Sequence, residues 1–123
     1  MENMAKKILV VDDDPEIVKY IEKVLNNNGY DTCSATDGLE AMDKLKTEKP
    51  ALITLDLEMH EEWGPRFYRK LTQEDEYKDT PVIVVTGLSG GQYAVRKAVA
   101  TLKKPFDPDE LMKHVQKAIG PSA

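Results

Sequence analysis

Short apolar runs alternate along the chain with longer segments in which apolar residues recur at helical spacing. The runs are too short for buried helices and several are rich in β-branched residues, which favours strands. The run at residues 81–86 is so apolar that both of its faces must be covered. The predicted strands lie at residues 8–11, 31–35, 51–55, 81–86 and 101–103.

The segments between these runs predict amphipathic helices. Aspartates stand at three expected N-caps. Prolines stand at three expected first helical positions, where they are tolerated: Pro15, Pro65 and Pro108. Asn28-Gly29 and Pro50 are typical helix terminators. A short helix is expected at about 92–99. The apolar stripes expected to face the core are Ile17, Ile21, Val24 and Leu25 after Asp14-Pro15; Leu39, Met42 and Leu45 after Asp37; Phe67 and Leu71 after Pro65; and Leu111, Val115, Ala118 and Ile119 after Asp107-Pro108.

Strands alternating with helices predict an α/β fold whose parallel sheet carries helices on both faces. The length suits one domain over residues 1–123, with a core at about 6–119 and a disordered tail at 120–123. The formal net charge of −5 argues against a nucleic-acid partner. A single cysteine, Cys33, excludes an internal disulfide. Because no export signal or membrane-spanning run is found, we expect a cytoplasmic protein without a membrane partner.

Polar side chains follow several predicted strands at the point where each strand ends. The carboxyl ends of parallel strands meet at one edge of a sheet, where open α/β folds bind ligands. Three carboxylates in one crevice repel one another unless a cation lies among them, and oxygen-only ligands suit Mg²⁺. The side chains expected to meet are Asp12 and Asp13 after the first strand, Asp56 after the third, Thr86 after the fourth and Lys104 after the fifth.

This set of groups suits phosphoryl transfer. A carboxylate beside Mg²⁺, an ammonium group and a hydroxyl donor is a good phosphoryl acceptor, because the reaction needs positioning and charge neutralisation more than acid–base work. Carboxylate nucleophiles that form an aspartyl phosphate are an established solution. Taken singly, each residue has an ordinary structural explanation as a helix cap, turn former or surface group. Their convergence favours a site.

The chain closely resembles the receiver domains of two-component response regulators. The motifs that carry this resemblance span almost the whole chain: Val11-Asp12-Asp13-Asp14-Pro15, Asp56 at the end of its apolar strand, Val85-Thr86-Gly87 and Lys104-Pro105-Phe106. The resemblance implies a doubly wound, flavodoxin-like five-stranded sheet in the order 2-1-3-4-5.

The resemblance also implies a role for each site residue. Asp56 would accept a phosphoryl group from a sensor histidine kinase or a histidine phosphotransfer protein. Mg²⁺ would be held by Asp12, Asp13, Asp56 and the backbone carbonyl of Glu58. Lys104 would pair with the phosphoryl oxygens. The Lys104-Pro105 peptide bond would be cis. Thr86 would move to bond the phosphoryl group and so switch the interaction with a downstream effector.

Three features depart from the family pattern. His60 stands where the family usually has proline, and we interpret it as a partly exposed loop residue rather than a metal or phosphate ligand. Thr101 replaces the usual switch aromatic, and a threonine cannot swing a ring between solvent and interior. The segment between Thr86 and Lys104 is about one helical turn short, so the fourth helix should be short. We therefore expect an atypical output surface.

Other functions remain open at this stage. Asp56-Leu57-Glu58 loosely resembles the nucleophile motif of aspartyl-phosphate hydrolases, although the chain has no room for a cap domain. A nucleotide or flavin binder would share the topology, but no glycine-rich turn follows the first strand. A receiver that only docks a partner, without switching, is a further alternative.

Overall fold

The computed structural model describes residues 5–87 and 98–123, apart from the Glu62 side chain. Within them lies one parallel five-stranded sheet in the order β2-β1-β3-β4-β5, which confirms the predicted fold class. The strands are β1 (Lys7–Val11), β2 (Asp31–Ala35), β3 (Leu52–Leu55), β4 (Val82–Thr86) and β5 (Ala100–Lys103). β1, β3 and β4 occupy the centre, so the segments that follow them meet at one edge.

Four helices flank the sheet in the described residues: α1 (Pro15–Asn27), α2 (Gly38–Glu48), α3 (Trp63–Gln73) and α4 (Pro108–Ile119). Asp14, Asp37 and Asp107 are the N-caps of α1, α2 and α4 as predicted, because each carboxylate accepts a backbone N–H of the first turn. Of the short helix predicted at about 92–99, residues 92–97 lie outside the described residues, and residues 98 and 99 are not helical. No helix among those described is long and apolar enough to cross a membrane.

Alternating strand side chains bury an apolar cluster on each face of the sheet. Leu9 and Phe67 belong to the cluster beneath α2 and α3, and Ile8 and Leu111 to the cluster beneath α1 and α4. The strand β4, apolar except for its last residue Thr86, is buried along its whole length, as expected for a covered central strand. Packing in these two clusters thus fixes where each strand ends relative to its neighbours.

Several details of the predicted helix stripes are wrong, among them Met112 in α4, which is buried although the predicted stripe omitted it. Val18 is buried in α1, whereas the predicted stripe omitted it. Leu39 is 68% exposed because α2 begins at Gly38 and turns Ala41 and Leu45 toward the sheet. Ala41 and Leu45, four residues apart, lie on the same side of α2 and define its buried face. Leu39 lies outside this face.

The third helix begins two residues earlier than predicted, at Trp63 instead of Pro65. A single 3-10 turn at His60–Glu62 leads into it, with Glu61 in the left-handed region at φ 56°. Pro65 is accommodated because the first N–H groups of a helix have no intrahelical partner. The Trp63 indole packs against Gly38, where an added Cβ would lie 1.8 Å from the ring.

The predicted disorder at residues 120–123 is also wrong. The Tyr30 hydroxyl donates to the Gly120 carbonyl at 2.6 Å, and the Lys6 backbone N–H donates to the Ser122 carbonyl at 2.8 Å. The Lys6 ammonium also donates to the Ile119 carbonyl. A polar, glycine-containing tail gave no sign of these partners, which come from distant parts of the sequence.

We predict that Thr54→Val stabilises the protein. Thr54 is 1% exposed in the middle of β3, and its hydroxyl has no hydrogen-bond partner among the described residues. Valine keeps the shape and removes the unpaired hydroxyl, so the free energy of unfolding in urea should rise by about 1 kcal/mol. Thr54→Ser, which keeps the hydroxyl and loses the methyl, should be destabilising. A loss of stability in the valine variant would contradict the prediction.

Candidate metal and phosphoryl site

Three carboxylates converge at the carboxyl edge of the sheet. Asp12 and Asp13 follow β1, and Asp56 follows the adjacent strand β3. One oxygen of each lies within 4.8 Å of the others, which is a spacing suited to a shared cation. Asp12 and Asp56 are 1% and 3% exposed, so both acids lie inside the crevice rather than on its rim. The structure therefore brings together the three acids that the sequence singled out.

Lys104 supplies the positive charge at this edge. Its ammonium nitrogen lies 2.8 Å from Asp12 Oδ2 and 3.5 Å from Asp56 Oδ2. The residue comes directly after β5 and is followed by the cis Lys104-Pro105 bond that the resemblance implied. A single ammonium group thus bridges two buried carboxylates, but it leaves the cluster of three with a net negative charge.

Backbone contacts fix the orientation of the Asp56 carboxylate. The Asp56 N–H donates to the Val11 carbonyl at 3.0 Å, and the Glu58 N–H donates to Asp56 Oδ1 at 3.0 Å. Gly64, in the first turn of α3, lies against the Asp56 carbonyl, since an added Cβ would come within 2.5 Å of it. Oδ1 is therefore held by a backbone donor, while Oδ2 faces Lys104.

The electrostatics of the site oppose the ionisation of Asp12. Burial raises the pKa of the Asp12 carboxyl above its ordinary value of 3.8, against the hydrogen bonds donated by Lys104 and the Asp14 backbone. Burial lowers the pKa of Lys104, but its hydrogen bond to Asp12 and the charges of Asp12 and Asp56 outweigh this, so the pKa is raised above 10.5. The site thus disfavours the charged form of Asp12 and favours the charged form of Lys104.

Thr86 and Thr101 lie on neighbouring strands. Thr86 ends β4, is 1% exposed, and its carbonyl accepts the Lys104 backbone N–H at 3.1 Å. Thr101 is exposed on β5, where it pairs with Val84. The structure therefore places the Thr86 backbone beside the segment that carries Lys104. The position of the usual switch aromatic is a solvent-facing threonine.

His60 was interpreted from sequence as a loop residue. Its side chain is indeed 89% exposed, but its Nδ1 lies 2.7 Å from Asp13 Oδ2, and its backbone N–H donates to the same oxygen at 3.3 Å. The histidine at the position of the family's usual proline was the signal in the sequence that this loop makes a different contact. The sequence could not show that the turn carrying His60 folds onto Asp13.

The donor set at this site fits a hard divalent cation. Carboxylate oxygens alone, two of them buried and one partly exposed, are typical ligands for Mg²⁺, which retains several waters. The cluster carries more negative charge than Lys104 offsets, so binding a cation relieves repulsion. The acidic cluster is thus suited to hold a metal ion.

We predict that Mg²⁺ binding weakens on acidification. A carboxylate must be ionised to bind a metal ion, whereas burial favours the protonated form of Asp12. The decline should therefore begin above the pH of about 4 expected for an ordinary aspartate. Calorimetric titration at several acidic pH values should show it, with protons released on binding. An affinity that stays constant down to about pH 4 would contradict the prediction.

Comparisons with known proteins agree with this geometry. A family model described as the response regulator receiver domain matches residues 8–116. Protein Rrf1 of Nitratidesulfovibrio vulgaris is 36% identical over 116 residues, which cover 94% of this chain and 84% of that protein. The alkaline phosphatase synthesis transcriptional regulatory protein PhoP of Bacillus subtilis is 37% identical over 121 residues, and the chain spans 48% of its length.

Solved structures show the same similarity. The receiver domain of a response regulator from Bermanella marisrubri superposes with a TM-score of 0.85 at 37% identity, over 94% of this chain and 99% of that one. The chemotaxis response regulator CheY4 of Vibrio cholerae gives 0.82 at 28% identity, over 94% and 99%. The chain belongs to the response regulator receiver domains, the phosphoryl-accepting modules of two-component signalling.

Proposed function

We propose that Asp56 is the phosphoryl acceptor and that a phosphohistidine of a sensor histidine kinase or a histidine phosphotransfer protein is the donor. An Asp56 carboxylate oxygen forms a bond to phosphorus as the phosphorus–nitrogen bond to the histidine breaks. The electron pair stays on the departing imidazole nitrogen, which takes up a proton. The products are an aspartyl phosphate and a neutral histidine.

The neighbouring residues bind and position the reacting groups. Asp12, Asp13, Asp56 and the Glu58 backbone carbonyl would hold Mg²⁺. When bound, this ion neutralises charge on the phosphoryl oxygens. The Lys104 ammonium, 3.5 Å from Asp56 Oδ2, is placed to pair with a phosphoryl oxygen once the ester has formed. The Glu58 N–H keeps the acceptor carboxylate from rotating.

The observation that carries the proposal is the arrangement around Asp56. Its carboxylate is buried, held by a backbone donor and flanked by one ammonium group and two further acids. A purely structural aspartate would not need three acids within 4.8 Å of one another, because their repulsion is costly in a buried crevice. A site that handles phosphoryl groups with a cation accounts for that cost.

Switching would follow from Thr86. Its hydroxyl would turn to hydrogen-bond the phosphoryl group, and its carbonyl is already bonded to the Lys104 N–H. Movement at β4 would therefore reach β5 through the backbone. Thr101 offers no ring for the usual relay, so the surface presented to the downstream effector should differ from that of aromatic-bearing receivers.

The test is phosphorylation by a small donor. The protein with Mg²⁺ and acetyl phosphate should gain the mass of one phosphoryl group, and Asp56→Asn should gain none. Chelation of Mg²⁺ should also prevent the gain. Continued release of phosphate from small phosphate esters would instead favour a hydrolase. An unchanged mass at every donor concentration would reject the acceptor role.

A further inference from the structure

His60 approaches the acidic cluster from outside through two groups. Its ring Nδ1 lies 2.7 Å from Asp13 Oδ2, and its backbone N–H lies 3.3 Å from the same oxygen. Asp13 is the partly exposed member of the three acids. The contact between His60 and Asp13 joins the loop after β3 to the loop after β1.

The turn that carries His60 is fixed on both sides. Met59 is buried in the core cluster, and the Trp63 N–H donates to the His60 carbonyl. Glu61 adopts φ 56°, a conformation that costs a residue with a side chain about 1 kcal/mol and lets the chain turn sharply. His60 is therefore held over Asp13 by the fold, although its ring is exposed.

We infer that His60 is a positioning residue that acts through Asp13. The inference rests on the proposed function, in which Asp13 is a Mg²⁺ ligand. By occupying Oδ2, the imidazole N–H and the backbone N–H limit rotation of the carboxylate before the ion arrives. Hydrogen-bonded partners of ligating groups commonly change metal affinity by about 10- to 100-fold, because they remove this orientational freedom.

The contact geometry identifies informative substitutions. Asparagine can place an amide N–H where Nδ1 lies, so His60→Asn should keep the side-chain hydrogen bond to Asp13 Oδ2. His60→Ala removes the ring but retains the backbone N–H. His60→Pro removes both donors, and the extended Met59 (φ −104°, ψ 158°) is compatible with a following proline, so this variant should fold.

The test is Mg²⁺ affinity measured by calorimetry at one fixed pH, with thermal unfolding as a check on folding. We expect wild type and His60→Asn to bind alike, His60→Ala to bind about tenfold more weakly, and His60→Pro more weakly still. The chain has one other histidine, His114, which lies on α4. The variant His114→Ala should bind Mg²⁺ like wild type. In an Asp13→Ala background, His60→Ala should have no further effect.

The outcomes separate this inference from the proposed function. Equal Mg²⁺ affinity in wild type and His60→Pro would overturn the role of His60 and leave the phosphoryl-acceptor function standing. The same additional loss with and without Asp13 would also overturn it, because His60 would not then act through that carboxylate. No Mg²⁺ binding by the wild type at millimolar concentration would overturn both the inference and the proposed metal site.

Discussion

Replacing Lys104 by methionine should lower the free energy of unfolding of the metal-free protein by about 2 kcal/mol. Removing one partner of a buried ion pair typically costs about 3–5 kcal/mol, and the 23% exposure of Lys104 reduces this. Asp12 would keep its buried charge without its cation. Urea unfolding at neutral pH with a chelator present is the measurement.

The sign of the pH dependence gives an independent check. Because the pKa of Lys104 is raised in the folded state, its stabilisation is complete below 10.5 and is lost as the pH rises through the folded value. The stability difference between wild type and Lys104→Met should therefore shrink at strongly alkaline pH. Adding Asp12→Asn to the methionine variant should recover part of the lost stability, since the uncompensated charge at Asp12 is then removed while that of Asp56 remains. Failure of both effects would show that the ion pair does not stabilise the fold.

Substituting Gly64 by alanine should destabilise the protein by about 2 kcal/mol and disturb Asp56. Alanine usually favours a helix by about 1 kcal/mol over glycine, but here its Cβ would lie 2.5 Å from the Asp56 carbonyl oxygen and 2.6 Å from Leu57 Cα. These backbone atoms cannot rotate away, so α3 must move from the end of β3. Phosphorylation by acetyl phosphate should slow by about tenfold because the carboxylate is misplaced.

Gly87→Ala is the matched control for this substitution. A Cβ at Gly87 would lie 2.8 Å from Glu58 Oε1, the far end of an exposed and flexible side chain. The side chain can move at little cost, so the loss in urea unfolding should be small. If the two alanine variants lose stability equally, backbone contact at Gly64 is not the cause.

The regular elements of this fold were predictable because local chemistry and global packing agree. Asp14, Asp37 and Asp107 cap helices by contacts within a few residues, and the apolar run of β4 requires cover on both faces. The errors arose where distant contacts decide. The last residues are held by Lys6 and Tyr30, and Leu39 is exposed because α2 turns Ala41 and Leu45 toward the sheet instead.

The same distinction applies to the site. Asp12, Asp56 and Lys104 could be grouped from sequence, because parallel topology brings the ends of neighbouring strands together. The contact between His60 and Asp13 forms in a turn that contains the left-handed residue Glu61, and no local preference indicates that turn. That the Thr54 hydroxyl finds no partner in the described part of the chain was equally hidden, since threonine is an ordinary strand residue.

The packing of Trp63 has a spectroscopic consequence. It is the single tryptophan of the chain, and the Arg66 guanidinium lies 4.2 Å from its ring centroid. The next residue, Gly64, touches the backbone of Asp56. A shift of the Asp56 backbone should therefore displace Gly64 and change the surroundings of the adjacent indole ring, and with them its fluorescence. The protein thus contains an intrinsic optical probe, through which occupancy of the site should be followed in real time without a label.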